Sequence, residues 1–328
     1  VVITGAGRAF CSGLDLKQAS AGEGIAGTLG SRPGTNHYST REICTVTLQR
    51  MDTPVIAAIN GTAFGGGLET ALCCDYRIAA PTAPVGLPEV KLGLLPGAGG
   101  TQRLPRLIGA QAALKAIVSG DPIMAPQAQK LGIVDRIAEG DIVEEGIKYA
   151  EEIVAAGSAT RKIRDLTDKI AGDKGNTAVF ENAAAQLNKT NRGQFAPAQI
   201  LKCVEAAVNA DSFDAGMAVE RECFAACMQD PQREALIHIF FAERAANKIP
   251  GLSKDDPLID INKGSVIGSG TMGGGIAMCF ANAGIPVRLH DNNAENLAKG
   301  LKVIEGNYAR TVSKGRLTQE AMDKRMSL

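Results

Sequence analysis

Residues 60–106 read NGTAFGGGLETALCCDYRIAAPTAPVGLPEVKLGLLPGAGGTQRLPR. Three glycines, Gly65, Gly66 and Gly67, run straight into Leu68-Glu69-Thr70-Ala71-Leu72, the expected start of a helix. Glycines at that point let the backbone approach a ligand closely, because no Cβ stands in the way. The N–H groups of the first turn then form a site for negative charge. Glu69 lies in that turn, and Glu89 follows twenty residues later in Leu87-Pro88-Glu89-Val90. Two carboxylates beside backbone donors suit a reaction that adds or moves protons next to a developing oxyanion.

The stretch resembles the active-site region of the enoyl-CoA hydratase (crotonase) family. GGG-x-E, PE-x-x-LG and PG-x-GGTQRLPR match in order, with the two acids at the family spacing. The combination is specific, where a glycine triplet alone would be weak. The resemblance implies a substrate carried as a coenzyme A thioester. It also implies that Glu69 holds and activates a water while Glu89 exchanges the proton at the α-carbon.

The chain begins VVITGAGRAFCSGLDLK. A strand followed by TGAGR invites a dinucleotide-binding interpretation. The short-chain dehydrogenase pattern wants glycine where Ala9 and Cys11 stand, and no tyrosine has a lysine four residues on. Gly13 and Asp15 alone describe a turn with an Asp helix cap. Beside the downstream motif, FCSG-x-D resembles the crotonase loop that supplies an oxyanion donor. That resemblance makes the N–H groups of Leu14 and Gly66 the two donors.

Periodicity gives the rest of the first half. Residues 18–37, rich in Gly, Ser and Ala, suggest a mobile loop, of the kind that borders the acyl pocket in this family. A helical pattern covers 39–51, a buried strand 54–60 and another strand 75–80. Helices are expected from Gly99-Gly100-Thr101, over 111–118 with a stop at Gly120, and over 126–131. Residues 141–260 read as almost entirely helical, with FFAER-x-ANK resembling the linker helix of multifunctional fatty-acid β-oxidation enzymes. Residues 249–260, polar with two prolines, read as a linker. Cys223 and Cys227, one helical turn apart, are taken as core residues in preference to a disulfide or metal pair.

The last segment is INKGSVIGSGTMGGGIAMCFANAGIPVRLHDNN. A strand over 264–267 meets Gly268-x-Gly270-x-x-Gly273, a helix runs to Ala283 and stops at Gly284, and a second strand over 285–290 ends at Asp291. That context makes the glycine pattern a dinucleotide site. Gly268 makes the tight turn, Gly270 the close approach to pyrophosphate and Gly273 the helix–strand contact. Asp291 accepts from the ribose hydroxyls, which favours NAD over NADP. GSGTMGGGIA also resembles the start of 3-hydroxyacyl-CoA dehydrogenases, which adds Thr271 and Met272 to the NAD contacts. Beyond Asp291 a helix is expected with Leu297, Leu301, Ile304 and Tyr308 on one face.

The fold class expected is α/β: a crotonase-like β-β-α superhelix over 1–140, a helical linker region over 141–260, and the first half of a Rossmann NAD-binding domain over 261–328. Val1-Val2-Ile3 starts inside a sheet without an initiator Met, and the uncapped end at Leu328 precedes any dehydrogenase His–Glu pair. Both ends are therefore read as truncated. Lys+Arg and Asp+Glu are both 35 in 328 residues, which gives no electrostatic case for nucleic acid or an anionic membrane. No apolar run approaches the ~20 residues of a membrane span. The eight cysteines hold no C-x-x-C pair and read as reduced, mostly buried thiols, and the three histidines show no metal spacing. The location expected is cytoplasm for a bacterial protein, with peroxisome and mitochondrion open.

The whole pattern resembles the multifunctional β-oxidation family. It implies hydration of trans-2-enoyl-CoA coupled to NAD-dependent oxidation, with acyl-CoA thioesters as ligands and a thiolase subunit as a partner. A Δ3,Δ2-enoyl-CoA isomerase on the same site and a non-catalytic acyl-CoA or NAD binding module are the alternatives.

Overall fold

The computed structural model describes residues 1–13, 47–157, 160–246, 248–253, 256–257 and 259–328. Leu14, Asp15, the 18–37 loop and most of the 39–51 helical pattern lie outside the described residues. The chain forms two compact units, Val1–Lys248 and Ile249–Leu328.

In the first unit the strands are β1 (Val2–Thr4), β2 (Ala9–Cys11), β3 (Ile56–Ile59) and β4 (Thr62–Phe64). Helix α1 (Gly66–Cys73) leads to β5 (Tyr76–Ala79) and β6 (Pro84–Gly86). A 3-10 turn, Pro88–Leu92, precedes α2 (Gly100–Ile108) and α3 (Ala110–Ser119). Then come β7 (Ile123–Met124), α4 (Ala125–Leu131) and β8 (Arg136–Ile137). Strands β1 to β6 alternate between two sheets, after which β7 joins the second and β8 the first. One has the order β1-β3-β5-β8 and is parallel throughout, and the other has the order β2-β4-β6-β7 with only β7 antiparallel. This is the β-β-α repeat expected of a crotonase. Every residue of β3 is buried, as a continuous apolar run in a central parallel strand requires. Asn60 ties the corner between the sheets: its Oδ1 accepts from Gly5 N at 3.2 Å and its Nδ2 donates to the Gly7 carbonyl at 2.8 Å.

The helices that follow are α5 (Ile142–Ala155), α6 (Thr177–Thr190), α7 (Ala196–Asn209), α8 (Phe213–Gln229) and α9 (Pro231–Ala246). The almost wholly helical expectation for 141–260 fails between α5 and α6. The described residues there hold only two 3-10 turns, Ile163–Asp165 and Ala171–Asp173. The backbone there is committed elsewhere. Arg161 N donates to Asp75 Oδ1 at 2.7 Å, and Lys162 Nζ reaches Asp75 Oδ2 at 3.0 Å. The Arg164 guanidinium donates to Gln49 Oε1.

Helix α2 is buried almost all round, polar residues included. Its polar side chains clamp it to α7. Gln102 Nε2 donates to the Cys203 carbonyl at 2.8 Å, and the Arg106 guanidinium donates to the Ala207 carbonyl at 2.7 Å. The polar letters of GTQRLPR therefore work largely inside the core.

The second unit has β9 (Gly264–Ile267), α10 (Thr271–Asn282), β10 (Val287–His290), α11 (Ala294–Ser313) and α12 (Gln319–Met326). The strands pair in parallel. Val266, Ala277, Ile304, Tyr308 and Met322 form its core. The expected α11 face is corrected: Leu301 is 44% exposed, and the buried face runs Gly300, Ile304, Tyr308. Helix α11 lies so close to the glycine loop that a Cβ on Gly300 would stand 2.4 Å from the Ser269 carbonyl. That contact sets the helix rotation. Among the described residues no helix is long and apolar enough to cross a membrane.

Candidate active site

The glycine triplet turns the chain from β4 into α1, with Gly65 as the helix N-cap and Gly66 and Gly67 opening the helix, as the sequence implies. Gly65 has φ 56°, ψ −127°, a conformation unfavourable to any side chain. A Cβ there would lie 3.0 Å from Glu89 Oε1. The backbone of Gly13 comes alongside: a Cβ on it would be 2.9 Å from the Phe64 carbonyl and 3.5 Å from Gly66 N. A cavity of about 440 Å³ opens there, lined among others by Gly13, Gly66, Glu89, Phe240 and Arg244.

The two predicted acids meet in the fold but occupy different positions. Glu89 lines the cavity, and its Oε2 is buried with no hydrogen-bond partner. Glu69 is buried beside it without lining the cavity, and its Oε1 accepts from Ala98 N at 2.7 Å and Gly100 N at 2.8 Å. Burial raises both carboxyls above the ordinary range. For Glu69 the two backbone donors, then Arg103, pull back. Glu89 is held well above its ordinary value, by burial first and then by the charges of Glu69 and Glu220. Leu14, the other expected oxyanion donor, lies outside the described residues.

Sequence reasoning missed Glu220. It is fully buried, on α8, and its carboxylate accepts from Gly99 N at 2.7 Å, Thr101 N at 3.2 Å and the Thr101 hydroxyl. A glutamate in a charged run, VERE, looks like a solvated helix residue, and nothing local marks it as buried. Phe240 and Arg244 of α9 were also missed as cavity walls. The Arg244 guanidinium stacks 3.4 Å over the Phe240 ring.

In the second unit the glycine loop between β9 and α10 has Gly268 at φ 97°. A Cβ on Gly273 would stand 1.7 Å from the Gly268 carbonyl, so helix and loop touch as a dinucleotide fold requires. Asp291, at the end of β10, accepts from the N–H and hydroxyl of Ser269, which hold its carboxyl below its ordinary value. A cavity of about 470 Å³ is lined by Ser269, Gly270, Thr271 and Asp291 among others. Gly268, Met272 and Gly273 are not among its lining residues, and Met272 is 80% exposed.

Residues 1–192 match the family described as enoyl-CoA hydratase/isomerase. The chain belongs to that family. Residues 263–328 match the 3-hydroxyacyl-CoA dehydrogenase, NAD binding domain. Among curated proteins the chain is 40% identical over 318 residues to the peroxisomal bifunctional enzyme of Homo sapiens, covering 96% of this chain and 42% of that protein. It is 35% identical over 331 residues to the glyoxysomal fatty acid beta-oxidation multifunctional protein MFP-a of Cucumis sativus, covering all of this chain and 45% of that one. The chain thus spans less than half the length of these relatives.

The enoyl-CoA hydratase/isomerase part carries the two acids and the glycine-rich helix start, and the residues of the second part fit NAD. Gly270 leaves open space at the N-terminus of α10 for a pyrophosphate, and Asp291 stands at the strand end where a ribose would sit.

Proposed function

We propose that the first unit hydrates trans-2-enoyl-CoA thioesters to 3-hydroxyacyl-CoA. What carries this is the pairing of a cavity-facing carboxyl, Glu89, with a buried neighbouring carboxylate, Glu69, beside the N-terminus of α1. The thioester oxygen accepts from the N–H of Gly66 and of Leu14, so charge leaving the double bond collects there as an enolate. Glu69, whose charge two N–H groups support, takes a proton from water as its oxygen bonds to the β-carbon. Glu89, kept neutral by burial, gives its proton to the α-carbon. The pair ends with its protons exchanged and resets through water, leaving the sum unchanged.

Residues Gly268, Gly270, Thr271, Met272, Gly273 and Asp291 would hold NAD in the second unit. When bound, NAD accepts a hydride, and in the whole protein that oxidises the 3-hydroxyacyl product to a 3-ketoacyl thioester. A thiolase subunit would consume it. The two relatives quoted are named peroxisomal and glyoxysomal, and we infer a peroxisome-type compartment, or the cytoplasm of a bacterium.

One observation favours the isomerase as a second activity: Glu89 faces the cavity and Glu69 does not. Moving a double bond needs a single acid–base group. The test is turnover of 2-enoyl-CoA and 3-enoyl-CoA by Glu69→Gln and Glu89→Gln. General acid–base groups contribute about 10²–10⁴-fold. Both variants are expected to lose hydration by that factor, whereas Glu69→Gln keeps most isomerase activity. Full hydratase activity in both would remove this site from the reaction.

A further inference from the structure

Four consecutive backbone N–H groups, those of residues 98 to 101, form the approach to α2, and two buried carboxylates divide them alternately. Glu69 accepts from Ala98 and Gly100, while Glu220 accepts from Gly99 and Thr101. The Thr101 hydroxyl also bonds Glu220 and in turn accepts from Gln102 Nε2 at 3.0 Å. Glu69 and Glu220 thus hold one turn of backbone between them through alternate N–H groups. Neither can move without shifting the donors of the other.

We propose that Glu220 is a positioning residue for the acid pair, holding the α2 N-terminal turn that orients Glu69 and setting a third carboxyl beside Glu69 and Glu89. The inference rests on the hydratase reading for its kinetic test, but its geometry stands apart from it. Glu220 is in no lining of the substrate cavity, so it acts through Glu69 and Glu89 alone. Its own carboxyl is pushed up to about 8, by burial first and by Glu69 next, against the pull of Thr101, Gly99 and Arg103. A buried acid held by N–H donors on both oxygens is costly to keep. Packing alone would be served as well by an apolar side chain. Only the alternating arrangement makes use of its oxygens.

The titratable and charged groups facing it are Glu69, Arg103 and the Cys203 thiol of α7, with the neutral Thr101 hydroxyl as a hydrogen-bond donor, and the charge of Glu220, when present, extends to Glu89. Glu220→Gln keeps the shape but turns an amide NH₂ toward a backbone N–H. It also removes the charge that Glu220 carries above about pH 8, which raises Glu89 on the alkaline side. In the full-length protein kcat is expected to fall about tenfold or more, with KM held within about threefold, because the substrate never meets this residue. The alkaline limb of the kcat profile, set by the protonated Glu89, should move to lower pH by about half a unit or more. A purely structural Glu220 would lower the melting temperature and leave both kcat and the profile in place, which overturns the proposal.

Should Glu220→Gln fail to fold, Thr101→Val removes one donor to Glu220 and no backbone group. It is expected to lower kcat severalfold at constant KM, and a wild-type kcat would again overturn the idea. A readout independent of turnover separates this inference from the assigned reaction. Carboxyl NMR of glutamate-labelled protein, with Glu89 assigned by Glu89→Gln, should show its titration move downward in Glu220→Gln. An unmoved titration defeats the inference whether or not the wild-type protein hydrates enoyl thioesters.

Discussion

Gly65 joins local backbone geometry to the chemistry most directly. Its φ of 56° with ψ −127° would cost any other residue about 1–3 kcal/mol, and its missing Cβ leaves room for Glu89 Oε1. Gly65→Ala should stay folded and lose about tenfold or more in kcat by displacing Glu89. Wild-type kcat in that variant would show that the close contact has no catalytic consequence. The acids also set the pH dependence. Activity needs Glu69 ionised and Glu89 protonated. It should fall on the acid side as pH drops through the raised Glu69 value and on the alkaline side as pH rises through the higher Glu89 value. A single-limbed profile would argue against the division of roles. Glu69 and Glu89 were legible because their chemistry is written beside glycines and prolines that fix the backbone. Glu220 was not, because its partners lie on the approach to α2, far away in the chain, and only the fold reveals that its helix face is buried.

Among elements, the link between α5 and α6 shows where periodicity misleads. Its described residues make only short 3-10 turns, and its start is pinned by side chains. Asp75 is the anchor, fully buried, accepting from Val55 N at 2.9 Å, Arg161 N at 2.7 Å and Lys162 Nζ at 3.0 Å. Removing one partner of a buried pair leaves the other uncompensated, at about 3–5 kcal/mol. Asp75→Ala should therefore lower stability by about that much in urea unfolding. A loss under about 1 kcal/mol would mean that the network is replaceable by water. Parallel strands and the helices of the sheet-bearing half could be read from apolar runs and glycine stops, since those signals are local. The rotation of α11 could not, because it is set by Gly300 lying against Ser269. In the glycine loop, Gly273→Val places a side chain against the Gly268 carbonyl and should abolish NAD binding measured by calorimetry, while leaving enoyl-CoA turnover unchanged. NAD affinity equal to wild type would move the cofactor away from this loop.

At the scale of the whole molecule the chain divides at residues 248 and 249. Ile249, Leu252, Ile259 and Ile261 are more than half exposed between α9 and β9. Exposed segments without regular structure are cut first by proteases. Brief trypsin treatment should cleave between α9 and β9, at Lys248 or Lys263, before any site within the helices and strands of either unit, as mass spectrometry of the fragments would show. First cleavage between α5 and α6 would instead mark the Asp75 network as the weaker point. The two halves carry chemistries that meet in one intermediate, the 3-hydroxyacyl thioester, which the first is proposed to make and the second, in the whole protein, to oxidise. The direct measurement of the hydration is the loss of the 2-enoyl thioester absorbance with crotonyl-CoA and with a longer enoyl-CoA, comparing the full-length wild type with Glu89→Gln. The expected result is turnover in the wild type and its fall by about 10²-fold or more in the variant. A folded wild type that turns over neither substrate, or a Glu89→Gln variant as active as wild type, would contradict it.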